Sequence, residues 1–219
     1  MDGSRKCWRV NGITYYWRNG QLICRTSKNE KRTPRKDENG EELPLRSPAQ
    51  EKSSEVFSES FSMTKTYFLA HGHLLIWVVA PKTKPGQSSW ALHRHLNKAA
   101  YIPDEGVRYF NSYRFSHGIL ELPDNFTVRR ESWHITLEWE DDRDQPAAAA
   151  GDLLFVGYFH EGYPRSPLLV PVTGATRGEQ RAEFDIPPLD QPDGGVLHLY
   201  PFFGRADKSA YAGSYYMRC

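Results

Sequence analysis

The eight residues from Trp133 to Glu140, WHITLEWE, constrain the fold more than any other stretch of the chain. Side chains alternate along a strand with a period of two. Trp133, Ile135, Leu137 and Trp139 therefore share one face, and His134, Thr136, Glu138 and Glu140 share the other. A slip of one residue would move four large apolar groups into water, so the register is sharply specified. The alternation predicts a half-buried strand with a defined inside.

The same period governs the chain from Tyr109 onward. Tyr113 to Leu122 reads as a first strand. After the loop EDDRDQPAAAAG, Leu153 to Phe159 is apolar on both faces, as a central strand or one covered by a further layer must be. Leu168 to Val172 follows. Ala182, Phe184 and Ile186 then alternate with Glu183 and Asp185. Val196 to Phe203 and Ala210 to Met217 complete the set. About seven short strands separated by turn signals make a β-sandwich. Pro201 has no N–H to give a ladder, which predicts that its strand stops there or lies at an edge.

The N-terminal half reads differently. Asn11-Gly12 and Asn19-Gly20 are strong hairpin signals, so the residues from Lys6 to Ser27 should form a three-stranded meander. Its register sets Cys7 opposite Tyr16 and Cys24 opposite Tyr15. These tyrosines point to opposite faces, so the two sulfurs do as well, and free thiols are expected. The third cysteine is Cys219, and an odd, sparse set is no disulfide framework. Residues 28 to 46 form a polar loop, basic and then acidic, read as exposed and mobile. Ser47-Pro48-Ala49-Gln50 starts a helix: Ser47 caps, Pro48 suits the first turn, and Gln50 closes a capping box. Val56, Phe57, Phe61, Thr64 and Phe68 make its apolar stripe, and it ends near His71-Gly72. Leu74 to Val79 reads as a short β-rich run. Gly86 to Tyr101 reads as a second helix capped by Ser88 or Ser89, with Leu92, Leu96, Ala99 and Ala100 inward. Residues 1 to 108 are thus expected as a meander with helices, and 109 to 219 as a sandwich domain.

Two resemblances add to this reading. Ile135-Thr136-Leu137-Glu138-Trp139 before an acidic loop resembles the second strand of fibronectin type III domains, with Trp139 matching their core tryptophan. Val196-Leu197-His198-Leu199-Tyr200, a Gly-Arg-Ala-Asp turn and a final strand resemble that fold's last hairpin. The fold class expected is therefore α+β, mainly β: a C-terminal seven-stranded fibronectin/immunoglobulin-like sandwich with an N-terminal meander and two helices. Most of the chain also resembles an uncharacterised Bacteroidetes domain-of-unknown-function family. The shared features are Gly12-Ile13-Thr14-Tyr15-Tyr16-Trp17-Arg18-Asn19-Gly20, the Ser-Pro-Ala-Gln helix start with Phe57, Ser89-Trp90-Ala91-Leu92, Phe115-Ser116-His117-Gly118, and Trp139 with a later Asp152. The chain departs from the family in lacking a glycine- and lysine-rich lead and in carrying Ser53 and Ser54 where an Arg is usual. That family implies no activity. Its setting beside phage-like genes implies a part in a larger particle, secretion or appendage assembly.

No chemistry-bearing pattern stands out. There is no Gly-x-Ser-x-Gly elbow, P-loop or dinucleotide glycine motif. His93 and His95 would point apart on a helix and cannot share a metal there, and His71 and His73 have no third partner at a usual interval. Glu138, Glu140, Asp141, Asp142 and Asp144 cluster at a strand end without calcium-loop spacing. Glu138 and Glu183 could face each other on one sheet, but outward Glu residues on sheets are routine, so a hydrolase with unidentified carboxylates is the third reading. The basic run Arg25, Lys28, Lys31, Arg32, Arg35 and Lys36 is diluted by acids. With a formal net charge of +1, nucleic acid is disfavoured. No catalytic residue, metal or cofactor is assigned, and a non-enzymatic binding or structural module is expected.

The candidates for contact are aromatic. Tyr15, Tyr16, Trp17 and Arg18 form an arm suited to a protein partner or to self-association. Tyr158, Tyr163, Tyr211, Tyr215 and Tyr216 are candidate interface residues, or, in the alternative reading, carbohydrate-stacking residues. The first residues carry no apolar run that would mark a secretory signal, and Leu74 to Ala80 is too short to span a bilayer, so a cytoplasmic product is expected.

Overall fold

The computed structural model describes residues 7–10, 13–18, 21–26, 36, 38–41, 46–141, 148–170, 174–187 and 195–219. The turns at Asn11-Gly12 and Asn19-Gly20, most of the 28–46 loop, Asp142 and Asp144 lie outside them. The chain divides into two compact units, Met1–Glu51 and Lys52–Cys219.

The first unit contains a three-stranded antiparallel meander: β1 (Cys7–Val10), β2 (Ile13–Arg18) and β3 (Gln21–Thr26). Cys7 pairs with Tyr16, and Cys24 with Tyr15, in the register expected from two-residue turns. Cys24 and Cys219 are free thiols.

The next element, α1 (Pro48–His71), begins in the last residues of the first unit and runs on into the second. The Ser47 N–H donates to Gln50 Oε1 at 3.1 Å, and the Gln50 N–H donates to Ser47 Oγ at 3.3 Å, which is the expected capping box. The expected β-run at Leu74 to Val79 is instead a 3-10 turn and a short helix, α2 (Ile76–Val79). Ile76 and Trp77 are both buried in the same core, which consecutive strand residues could not manage. Leu75 takes a left-handed φ of 63° to make the corner. In the next helix, α3 (Ser89–Asn97), Ser88 is the cap and accepts from the Ala91 N–H. A small hairpin follows, β4 (Tyr101–Ile102) with β5 (Gly106–Val107).

Seven strands then build a sandwich. One sheet holds β6 (Asp124–Glu131), β7 (His134–Glu140) and β10 (Arg181–Asp185), in the order β10-β7-β6. The other holds β8 (Leu153–His160), β9 (Leu168–Leu169), β11 (Leu197–Gly204) and β12 (Met217–Arg218), in the order β12-β11-β8-β9. The chain changes sheet after β7, after β9 and after β10, so the connections are those of a Greek key. Ile135, Leu137 and Trp139 of β7 and Ala182 and Phe184 of β10 pack on Leu154, Val156, Leu197 and Leu199 from the facing sheet. The opposite face of β7 is exposed except at Thr136. The fold is α+β, mainly β, with the expected seven-stranded fibronectin-like sandwich.

Several strand assignments change, among them Ala210 to Met217, which makes only single bridges at Tyr211 and Ala212 before β12 begins at Met217. Tyr113 to Leu122 is not the first strand; Asp124–Glu131 is. The earlier segment satisfies its backbone through side chains and single contacts. Asn97 exchanges two hydrogen bonds with the Arg114 backbone, Ser214 Oγ accepts from the Phe115 N–H, and the Leu120 N–H donates to the Tyr211 carbonyl. Gly118 lies so close to the Tyr211 backbone that a Cβ would overlap it. Pro201 is neither at a strand end nor in an edge strand: it pairs with Val156 in the middle of β11, which has neighbours on both sides. The proline is tolerated because β12 pairs only with His198 and Leu199. Beyond them the irregular segment before β12 lies along β11 and bonds to the Pro201 and Phe203 carbonyls through the Tyr215 and Ala212 N–H groups, so no bond is asked of the proline nitrogen.

The β8/β11 sheet is covered on both faces, as the doubly apolar β8 requires. Leu154, Val156, Leu199 and Phe203 face the sandwich core. Phe159, Tyr200 and Phe202 face a second core with Met63, Tyr67, Trp77 and Leu92 from the helices.

Candidate functional site

The buried face of α1 is not the phenylalanine stripe. Ser60, Met63, Thr64, Tyr67 and His71 go inward, whereas Phe57 and Phe61 remain 54% and 47% exposed. At 100° per residue the Phe57, Phe61, Phe68 row lies about 90° around the helix from the buried face. There it meets α3. Trp90 packs against Phe68 with ring centres 5.0 Å apart and against Phe61 at 5.9 Å, and Phe57 stacks beside Phe61 at 6.5 Å. Trp90 is itself 39% exposed.

Between α1 and α3 runs an open groove of about 280 Å³. Ser53, Val56, Phe57 and Ser60 form one wall, and Ala91, Arg94, His95 and Lys98 the other. The Arg94 guanidinium lies 4.3 Å from the centre of the Phe57 ring, a cation–π contact. Arg94 and His95 occupy the last turn of α3, where cations complement the helix dipole. Among the described residues no carboxylate pairs with Arg94, His95 or Lys98. Glu51 and Glu55 project from the far side of α1. Glu59 is buried and bound at 2.7 Å to Arg165, so the groove lining carries positive charge alone.

The aromatics chosen from sequence fall in different places. Tyr15 and Tyr16 are half-buried on β2 and Trp17 is exposed, while the Arg18 side chain lies outside the described residues. Tyr158 and Tyr211 are buried, and Tyr211 donates to the Leu74 carbonyl. Tyr216 is half-buried with its hydroxyl 3.0 Å from His198 Nδ1. Tyr163 and Tyr215 are exposed, Tyr215 stacking on Phe126 at 5.2 Å. Trp139 is buried and donates to the Arg177 carbonyl at 2.8 Å.

The acidic candidates within the described residues, and His71 and His93, are engaged within the fold, whereas His95 lines the groove. Arg181 bridges Glu138 at 2.7 Å and Glu183 at 2.5 Å, so that carboxylate pair holds a cation instead of flanking a cleft. Buried Asp141 pairs with buried Arg177 at 2.5 Å, and Glu140 accepts from Asn125. His71 donates to the Pro167 carbonyl at 3.0 Å. His93 is enclosed by Tyr67, Phe68, Trp77 and Tyr113, with Nδ1 2.9 Å from the Thr64 hydroxyl. Burial pushes its pKa down to about 3. His198 stacks flat on Phe110 at 3.6 Å, and burial lowers it to about 4 against the opposing pull of Glu161. Among the described residues no group of three His, Cys, Asp or Glu side chains is placed to hold a metal ion.

Sequence reasoning missed the groove because it assigned Phe57 and Phe61 to the core. A signal was present: Ser60, Met63, Thr64, Tyr67 and His71 form a second row at helical spacing, with small and hydrogen-bonding side chains suited to close packing.

No protein-family model and no curated protein matches the chain. Among solved structures, the FN1–FN3 domains of chicken CNTN1 are similar to it, with a TM-score of 0.35 and 12% identity over 48% of this chain and 33% of that one. No described helix is long and apolar enough to cross a membrane.

Proposed function

We propose that the protein is a non-enzymatic binding module that docks a protein partner through the α1/α3 face, as one subunit of a larger assembly. One observation carries this reading. Most of the described rings are buried, yet Phe57, Phe61 and Trp90 are exposed side by side where α1 meets α3, with Phe57 lining the groove. Contiguous exposed apolar surface rimmed by polar groups is the usual mark of an interaction site. Glu138, Asp141, Glu183, His71 and His93 support it from the other side, since each is engaged within the fold. The carbohydrate alternative narrows to Tyr163 and Tyr215.

A photo-crosslinking phenylalanine analogue at Phe61 tests the reading in cells, with the same analogue at exposed Glu138 as control. Discrete adducts at position 61 and none at 138 are expected. Equal labelling at both positions, or none at 61, defeats it. Light scattering across concentration shows whether the partner is a second copy of this chain.

A further inference from the structure

We infer that the α1/α3 groove takes an acidic protein segment: a short stretch with one apolar or aromatic anchor flanked by Asp or Glu. The inference rests on the docking face proposed above and adds the chemistry of its partner. The anchor is set by the lining. Val56, Phe57 and Ala91 give the groove an apolar floor, and a volume of about 280 Å³ is the scale of one or two side chains rather than of a folded domain. The charge is set by Arg94 and Lys98, with His95 between them on the same wall, and no described carboxylate pairs with any of the three.

The helix dipole accounts for cations at the end of α3, but it does not account for their standing over an exposed phenylalanine. Arg94 is held there by the Phe57 ring. Its fork is thus set in place before a carboxylate arrives, which reduces the ordering cost of binding. Ser53 and Ser60 on the opposite wall can donate hydrogen bonds. Ser60 already donates to the Phe57 carbonyl, leaving Ser53 as the freer donor.

A nucleic acid strand fits less well. Base stacking needs open ring faces. Here Trp90 is turned against Phe68 with 16° between planes, and Arg94 takes one face of Phe57 and leaves the rest of the ring to the groove. A molecule of formal net charge +1 has no long-range pull on a polyanion. The attraction is local, and a segment with a few carboxylates meets it.

The test is a random-dodecamer peptide array probed with the full-length protein, with single-stranded oligo(dT) as a parallel probe. Bound peptides should place Asp or Glu within a few residues of a Phe, Trp or Leu. Raising the salt from 0.15 to 0.5 M should weaken binding of the best acidic peptide by roughly tenfold. The double variant Arg94→Glu, Lys98→Glu should switch the preference to Lys- and Arg-flanked anchors. The milder Arg94→Gln, Lys98→Gln should lose the acidic preference while keeping the anchor, and both should melt as the parent does. Phe57→Ala should lose binding whatever the flanking charge. If anchors bind with no acid enrichment, or if the enrichment survives charge reversal, the acidic partner is wrong and the docking face stands. If binding ignores Phe57→Ala, or no peptide binds, both fall. Oligo(dT) binding without peptide binding also overturns the proposal in favour of nucleic acid.

Discussion

The β8/β11 sheet has a core on each face, and the two are built from different materials. On the sandwich side lie Ile135, Leu137, Leu154, Val156, Leu197 and Leu199, with Trp139 and Phe203. On the helical side lie Tyr67, Trp77, Tyr101, Tyr113, Phe115, Tyr200 and Tyr211 around His93. The sandwich core rests mainly on complementary shape, with the Trp139 bond to the Arg177 carbonyl and the buried Arg177–Asp141 pair at its margin. The helical core must also satisfy buried polar atoms. Tyr67 donates to the Phe115 carbonyl at 2.7 Å, Tyr200 to the Phe110 carbonyl at 2.8 Å, and Tyr211 to the Leu74 carbonyl. Each bond joins a ring to an irregular stretch of backbone. They fix where the helices and connecting segments sit on the sheet, because a buried donor or acceptor left unmade is costly. Alternation specifies one core, and directional bonds specify the other.

The sharpest way to break this distinction is to empty the helical core. Trp77→Ala should cost about 3–5 kcal/mol in urea unfolding, because Trp77 is fully buried against Tyr67 and His93. A loss below about 1 kcal/mol would mean that the helices add little beyond the sandwich.

Acid comes next. His93 is held at about 3, and an unfolded imidazole titrates near 6.5. Above pH 6.5 both states are neutral and stability is complete. As the pH falls from 6.5 toward 3, the unfolded chain takes up a proton that the folded chain refuses, so stability is lost with a limiting slope of about 1.4 kcal/mol per pH unit. The direction is the same for His198, which sits at about 4. His93→Gln should start less stable but show a flatter profile between pH 6.5 and 5, above the range where carboxylates dominate. An unchanged slope would remove His93 from the account.

Hydroxyl deletion is the next most informative step. Tyr211→Phe should cost about 1–3 kcal/mol by leaving the Leu74 carbonyl unpaired. On the sandwich side Ile135→Val should cost about 0.5–1.5 kcal/mol, the loss of one methyl. If the ranking reverses, the hydrogen bonds are incidental. Smallest of all is Arg181→Ala on the exposed face of the three-stranded sheet. It should change stability by less than about 1 kcal/mol, since the Arg181, Glu138 and Glu183 side chains are all about half exposed.

The parts legible in the sequence are those specified by near neighbours. The β7 register, the Ser47/Gln50 box, the Ser88 cap and the meander pairing each follow from residues within a turn or a hairpin. The groove was not legible in the same way. Phe57, Phe61 and Phe68 and Ser60, Thr64, Tyr67 and His71 are two rows on one helix, and both have helical spacing. Burying the phenylalanines is the better guess from hydrophobicity alone. What overrides it is that His93, Phe115 and Pro167 present partners that only the second row can satisfy: an imidazole for Thr64, a carbonyl for Tyr67 and a carbonyl for His71.

Pro201 and the run Leu74 to Val79 fail for the same reason. A proline in a central strand is forbidden only where its nitrogen faces a neighbour, and β12 stops before that point. A β-branched run forms a strand only where a strand awaits it. Ile76 and Trp77 instead find a pocket over the β8/β11 sheet, and Leu75 takes a left-handed backbone to reach it. Alternation alone dictates that strands of this polarity stack with Trp139 inside, because it is local and a one-residue slip is ruinous. Which row of α1 is hidden and which is left beside Arg94 is fixed by long-range packing, because that choice depends on hydrogen-bonding partners 29 to 96 residues away.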